Sequence, residues 1–372
     1  MKILVNTSNL AVGGGVQVAL SFVEELKIIR NNKYYIFLSP QVERQLDLQS
    51  FPGNFEFFHF PQSPASLWSR WRIVNGMKVL ERKIKPDVVF SVFGPSYWRP
   101  EAPHVMGFAL VWVINKGSLA HSTLNWKQSF KSKLLCEYQK YFAKKDGDFF
   151  IGETELVKQK MIKYKISSQE KTFVVSNTCH KVFDNRDKWL DVSLYDNRFR
   201  LITISSFYKH KNFGIIKKVV PFLERMNVSC CFYLTLPQDT FNREFRGLEN
   251  WVINLGPLDI RQCPSAYSQS QALFLPTLLE CFSASYPEAM KMGVPILTSD
   301  LDFAHAICCD AAEYFDPLNA KDIAIKIKNL IDSQNRQEEL IRLGKERFSQ
   351  FPTPQERAES YLAICQKAAT CA

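Results

Sequence analysis

From Ala272 to Thr298 the chain writes out one strand–loop–helix–strand unit, and this limits the folds open to it. Apolar Ala272-Leu273-Phe274-Leu275 has the length and makeup of a short buried strand, ended by Pro276 and Thr277. Leu278 to Ser283 is a loop. A helix follows, with Pro287 where only a first turn tolerates it, Glu288 to Met292 as good helix formers, and Gly293 at a left-handed cap. Val294 to Thr298 is the next strand. Glu280 therefore hangs from the loop at a strand's C-terminal end, Glu288 stands in the first turns of the helix, and both face one crevice. The amides at the helix start, around Ser283, Ala284 and Ser285, point to the same place and suit an anionic phosphate.

Glu280 and Glu288, with seven residues between them and Gly293-Val294-Pro295 after the second, resemble the Glu-x7-Glu motif of group 1 (family four type) retaining glycosyltransferases. The resemblance implies an α/β fold of two Rossmann-like domains (GT-B architecture) with an interdomain cleft and a C-terminal helix crossing back to the N-terminal domain. It also implies that Glu280 binds hydroxyls of the donor sugar and that Glu288 binds the ribose of its nucleotide. Without it, the same residues read as a surface carboxylate and a glutamate favoured by a helix dipole.

A chain of 372 residues exceeds what one core usually holds, so two domains are expected. Ten cysteines contain no Cys-x-x-Cys pair, and the doublets Cys230-Cys231 and Cys308-Cys309 lie in apolar stretches, which points to reduced cytosolic thiols. Neither a signal peptide nor a membrane-spanning run of about 20 apolar residues is legible. The net charge of +10 asks for an anionic partner, whether nucleic acid, anionic lipid or phosphorylated substrate.

In chain order, Lys2 to Val5 reads as a strand, Asn6 to Gly15 as a loop, and Val16 to Leu26 as a helix. Gly13, Gly14 and Gly15 allow close approach of a ligand to the backbone, and the resemblance places them near acceptor and donor phosphates. They also approximate a dinucleotide fingerprint. The next strand, Tyr34 to Leu38, ends in Ser39-Pro40 with no acidic residue for a ribose, which argues against a dehydrogenase. Leu67 to Lys85 reads as a basic helix with Trp68 and Trp71 near its start. In a second basic helix Trp126, Phe130, Leu134, Tyr138 and Phe142 recur at i, i+4, flanked by lysines and opposed only by Glu137. That stripe either rests on an anionic membrane surface or packs on the sheet while the lysines are solvated.

The polar stretch 180–198 reads as a linker, which divides the chain into an acceptor-binding domain (1–180), a nucleotide-sugar-binding domain (199–350) and a final helix (351–372) packing on the first. Ser206 to Asn212 resembles the family's Arg-x4-Lys-Asn segment. Lys211 and Asn212 match, whereas Ser206 stands where arginine is usual, so Lys209 or His210 is expected to supply the missing cation. Gly256 falls where family members end a strand near the base. His104 sits in a strand on the acceptor side, and Ala109 lies nearer the family's histidine position, so no catalytic histidine is carried over. Asp146-Gly147-Asp148 and Asp300-Leu301-Asp302 lack further ligands, and His59, His121, His180 and His305 have no ligand spacing, so no metal site is expected.

Together these readings give a hexosyltransferase that moves sugar from a nucleotide-diphosphate sugar to a saccharide acceptor, with no separate cofactor, and the resemblance alone implies retention of anomeric configuration. Glu280 and Lys211 are the catalytic candidates. Glu288, Ser206, Lys209, Asn212, Cys281, Phe282, Ser283, Ala284 and Gly256 bind donor, while Gly13, Gly14, Gly15 and His104 line the acceptor side. The basic, aromatic first domain fits a lipid-diphosphate-linked acceptor of capsule or O-antigen assembly, on the inner face of the plasma membrane, and no nucleic acid. The alternatives are an epimerase of the same fold and a nucleotide-sugar- or nucleic-acid-binding protein without turnover.

Overall fold

The computed structural model describes residues 1–11 and 13–371. The chain forms two compact α/β units, one of residues 1–116, 126–177 and 352–372, the other of residues 117–125 and 178–351.

The first unit is built on seven parallel strands: β1 (Lys2–Asn6), β2 (Lys33–Leu38), β3 (Phe55–His59), β4 (Val88–Ser91), β5 (His104–Gly107), β6 (Phe149–Gly152) and β7 (Thr172–Val174). They lie in the order β3-β2-β1-β4-β5-β6-β7. β1, β2, β4 and β5 are buried on both faces because helices cover both sides, as a doubly wound sheet requires, whereas the edge strand β3 is only partly covered. The Pro354–Thr370 helix closes one face. Its Tyr361 packs edge-on to Phe22 at 5.4 Å and against Phe90 at 5.2 Å. Its Arg357, 1% exposed, donates hydrogen bonds to Asn177 Oδ1 and to Ser21 Oγ at 2.7 Å. This helix starts at a capping box between Thr353 and Glu356, with Pro354 in the first turn.

The second unit has six parallel strands: β8 (Phe199–Thr203), β9 (Cys230–Leu234), β10 (Val252–Asn254), β11 (Ala272–Leu275), β12 (Ile296–Ser299) and β13 (Glu313–Phe315), in the order β10-β9-β8-β11-β12-β13. Strand order reverses between β8 and β11. Such a reversal, outside the C-terminal ends of the strands, is the place where open α/β sheets bind ligands.

Three expectations need correcting. Helix Gly14–Glu25 begins at the glycines, so Gly14 and Gly15 belong to its first turn and not to a loop. Only Gly13, at φ 72° and ψ −156°, needs to be glycine for its backbone. Residues 180–198 are no free linker. Leu190 N donates to Arg261 O at 2.9 Å, Val192 N to Ser265 Oγ at 3.3 Å and Leu194 N to Gln269 Oε1 at 3.2 Å, strapping the segment along the Cys263–Ser268 helix. Finally, residues 117–125 depart from the first unit and join the second.

Candidate active site

Glu280 and Lys211 meet at the C-terminal ends of β8 and β11, where strand order reverses. The loop after β8 carries Lys211 in the 3-10 turn Lys209–Lys211, and the loop after β11 carries Glu280. Their side chains form an ion pair, 13% and 10% exposed, with Lys211 Nζ donating to Glu280 Oε1. The two loops are stitched through His210, whose carbonyl accepts from Leu278 N at 2.7 Å. The Thr277 hydroxyl lies 3.2 Å from that carbonyl and 3.0 Å from Glu280 Oε1, so its single proton is shared between them. Burial pushes the His210 imidazole below its ordinary pKa, against an opposing pull from Glu280.

Helix Ser285–Met292 opens beside this pair. Its N-cap, Ala284, offers no side-chain cap. Among the described residues, no backbone acceptor meets the amides of Ser283, Ala284 and Ser285. They therefore form an electropositive cradle at a helix start, suited to a phosphate. The helix ends at Gly293, φ 66°, the left-handed cap expected from sequence.

Glu288, one turn into that helix, is buried, and Tyr267 donates its hydroxyl proton to Glu288 Oε2 at 3.1 Å. Burial pushes the Glu288 carboxyl up to about 7, only partly countered by this hydrogen bond. The neighbouring thiol of Cys179 is pushed up to about 12 by burial and by Glu288, so it is inert.

Of the remaining sequence candidates, Ser206 and Lys209 are exposed on the loop after β8, and Gly256, at φ 71° with open space where a Cβ would stand, follows β10. Cys281 and Ser283 are buried, and Phe282 turns edge-on to Phe351 at 6.2 Å. Asn212 holds a left-handed corner at φ 57° and donates to Pro317 O at 2.9 Å, so its amide shapes the loop. His104 is corrected outright. It is 0% exposed, with Nε2 2.8 Å from Ser91 Oγ and Nδ1 2.7 Å from Asp146 O, and burial lowers its pKa to about 4. A neutral imidazole held at both nitrogens inside the sheet meets no acceptor. Gly13, Gly14 and Gly15 stand at the C-terminal end of β1, the corresponding reversal point of the first sheet.

Sequence reasoning missed Thr277, the role of Tyr267, and the 3-10 turn Leu119–Thr123, which lies against the Lys209–Lys211 turn. That turn brings His121, its Nδ1 3.1 Å from Ser118 Oγ, to the neighbourhood of the cation cluster. No group of three or more His, Cys, Asp or Glu able to hold a metal occurs among the described residues. Asp148 pairs with Arg99 at 2.6 Å and Asp300 with His305 at 2.6 Å.

The family profile of glycosyl transferases group 1 matches residues 185–347. No curated protein sequence matches the chain. Among solved structures, the fold is similar to sucrose-phosphate synthase from Thermosynechococcus elongatus, at TM-score 0.76 and 13% identity, covering 100% of both chains. It is similar to Anabaena Alr3699/HepE, solved in complex with UDP-glucose, at TM-score 0.70 and 15% identity over 98% of this chain and 100% of that one. WaaG, a glycosyltransferase involved in lipopolysaccharide biosynthesis, matches at TM-score 0.69 and 12% identity over 98% and 99% of the two chains. The fold is that of GT-B glycosyltransferases.

Proposed function

Starting from a group 1 glycosyltransferase domain over residues 185–347, we propose that the chain is a retaining hexosyltransferase whose donor is a nucleoside diphosphate sugar and whose acceptor is a lipid-linked saccharide of cell-surface polysaccharide assembly. One observation carries the donor side: Lys211, Glu280 and the amides of Ser283 to Ser285 converge where the second sheet reverses its strand order. Charge builds on the leaving diphosphate as the anomeric bond loosens, and a lysine with helix-start amides is arranged to hold that charge without a metal. When the diphosphate takes Lys211, Glu280 is released to accept hydrogen bonds from sugar hydroxyls. Glu288, beside Tyr267, serves the ribose. Uridine is the base to try first, since a similarly folded protein was solved with UDP-glucose. The acceptor and the polysaccharide setting are supported by the fold shared with WaaG, described as involved in lipopolysaccharide biosynthesis.

The test is a thermal-shift panel of UDP-, GDP-, ADP- and TDP-sugars against their free diphosphates, followed by NMR of the anomeric configuration of the product. One nucleotide should raise Tm, with a further increment from the attached sugar. A folded protein indifferent to every nucleotide would end the donor-site reading, and an inverted product would end the retaining one.

A further inference from the structure

Thr277 stands two residues past the end of β11, at the reversal point of the second sheet, and is 0% exposed. A buried β-branched side chain is stiff at χ1, so its hydroxyl oxygen is fixed in place. Three acceptors surround that oxygen: Glu280 Oε1 at 3.0 Å, the His210 carbonyl at 3.2 Å and the Leu279 carbonyl at 3.5 Å. The hydroxyl has one proton to give. The Leu279 contact lies at the outer limit of a hydrogen bond, and the His210 carbonyl already accepts from Leu278 N at 2.7 Å. His210 is thus satisfied without Thr277, whereas a carboxylate is the stronger acceptor, so the proton is free to pass wholly to Glu280.

Both side-chain donors to the carboxylate converge on one oxygen. Lys211 Nζ and Thr277 Oγ1 each donate to Glu280 Oε1, and none of the described residues donates to Oε2. The two donors differ in what can move them. Lys211 is a cation on a flexible stem, carried by the 3-10 turn Lys209–Lys211, and a diphosphate would draw it off. Thr277 is neutral, short and tied to the end of a strand, so a diphosphate has no hold on it. Once the lysine has gone, a glutamate with no remaining donor would be free to swing about its side-chain torsions, and ordering it again would oppose sugar binding.

We infer, resting on the proposed donor reading, that Thr277 is a positioning residue for the donor sugar: its hydroxyl holds Glu280 by Oε1 after Lys211 has gone to the diphosphate, and Oε2 is left to accept from a sugar hydroxyl. The nucleotide then depends on Lys211 and the helix-start amides, while the sugar depends on Glu280 and, through it, on Thr277. A threonine that only tied the two loops together would act on nucleotide and sugar alike, because the turn carrying Lys211 would loosen with it. That tie has a bond of its own, from Leu278 N to the His210 carbonyl, and a change of the Thr277 side chain leaves it in place.

The experiment is calorimetric titration of the full chain with the nucleotide sugar that raises Tm most among the UDP-, GDP-, ADP- and TDP-sugars, and with its free diphosphate. Thr277→Val keeps the shape of the side chain and removes the proton, and Thr277→Ser keeps the proton. Thr277→Val should bind the free diphosphate within about twofold of wild type and the nucleotide sugar roughly tenfold more weakly, and Thr277→Ser should recover most of that loss. In a Glu280→Ala background the valine should remove nothing further, since the group it positions is gone. Were the valine variant to unfold, Thr277→Ala deletes the same proton without filling its place, and the same comparison is read from it. Wild-type affinity of Thr277→Val for both ligands would overturn the inference. So would an equal loss of both, which would make Thr277 a tie between loops, or a further loss when valine is added to Glu280→Ala. A wild type that gains nothing from any attached sugar would end the donor reading and this inference with it, whereas a gain that survives Thr277→Val ends this inference alone.

Discussion

At the scale of single residues, the ion pair between Lys211 and Glu280 means that the proposed donor would compete with Glu280 for its cation. On the proposed donor reading, a diphosphate draws Lys211 away from Glu280 and the sugar profits from the carboxylate so released. Glu280→Gln should therefore bind free UDP at least as tightly as wild type and lose the increment added by the sugar, which calorimetric titration with UDP and UDP-sugar resolves. Lys211→Ala should weaken both, and by stranding a largely buried carboxylate it should cost on the order of 1–3 kcal/mol of stability. Glu288 supplies a pH signature. Its carboxyl is raised to about 7 in the folded chain against an ordinary 4.5, so between those values the folded state holds a proton that the unfolded state has lost. Stability from this group is thus greatest below about 4.5 and declines as pH rises to about 7, a slope that Glu288→Gln should flatten in urea titrations across that range. Ionised Glu288 is the stronger acceptor for ribose hydroxyls, so nucleotide affinity should increase as pH passes 7 in wild type and not in the variant.

Secondary-structure elements differ in how much of their role the sequence announces. Glu280 and Glu288 were legible because strand, turn, Pro287 and Gly293 are local signals, and Lys211 because it stands between a strand and a helix. Thr277 and Tyr267 were not, since a hydroxyl's usefulness depends on what folds beside it. Residues 180–198 misled because polar side chains advertise a solvated linker, while the bonds that strap the segment down are made mainly by its backbone amides. The Trp126 helix shows the limit of periodicity, which gives the stripe but not the side it faces. The Pro354–Thr370 helix was legible as an element and carries a prediction of its own. Arg357→Met would remove the buried guanidinium's hydrogen bonds to Asn177 Oδ1 and Ser21 Oγ and should destabilise the first unit by about 1–3 kcal/mol. Chemical denaturation followed by circular dichroism measures the loss, and an unchanged midpoint would show that the buried guanidinium contributes nothing.

The whole molecule joins two sheets, each with a core of its own. Differential scanning calorimetry should accordingly resolve two transitions, with UDP raising the one that belongs to the second unit and Arg357→Met lowering the other. A single transition moved by both would mean that the units unfold as one. Their order in the chain also bears on synthesis. Tyr361, Leu362, Cys365 and Ala368 complete the core of the first unit, yet they are separated from the rest of it by residues 178–351. A nascent chain emerging from the ribosome at about 5–20 residues per second must therefore carry a first sheet with one face uncovered, its Phe22 and Phe90 without Tyr361, while the second unit is made and folds. Within this chain the first unit is made before the second and completed after it, and that interval is when a chaperone would find its uncovered core.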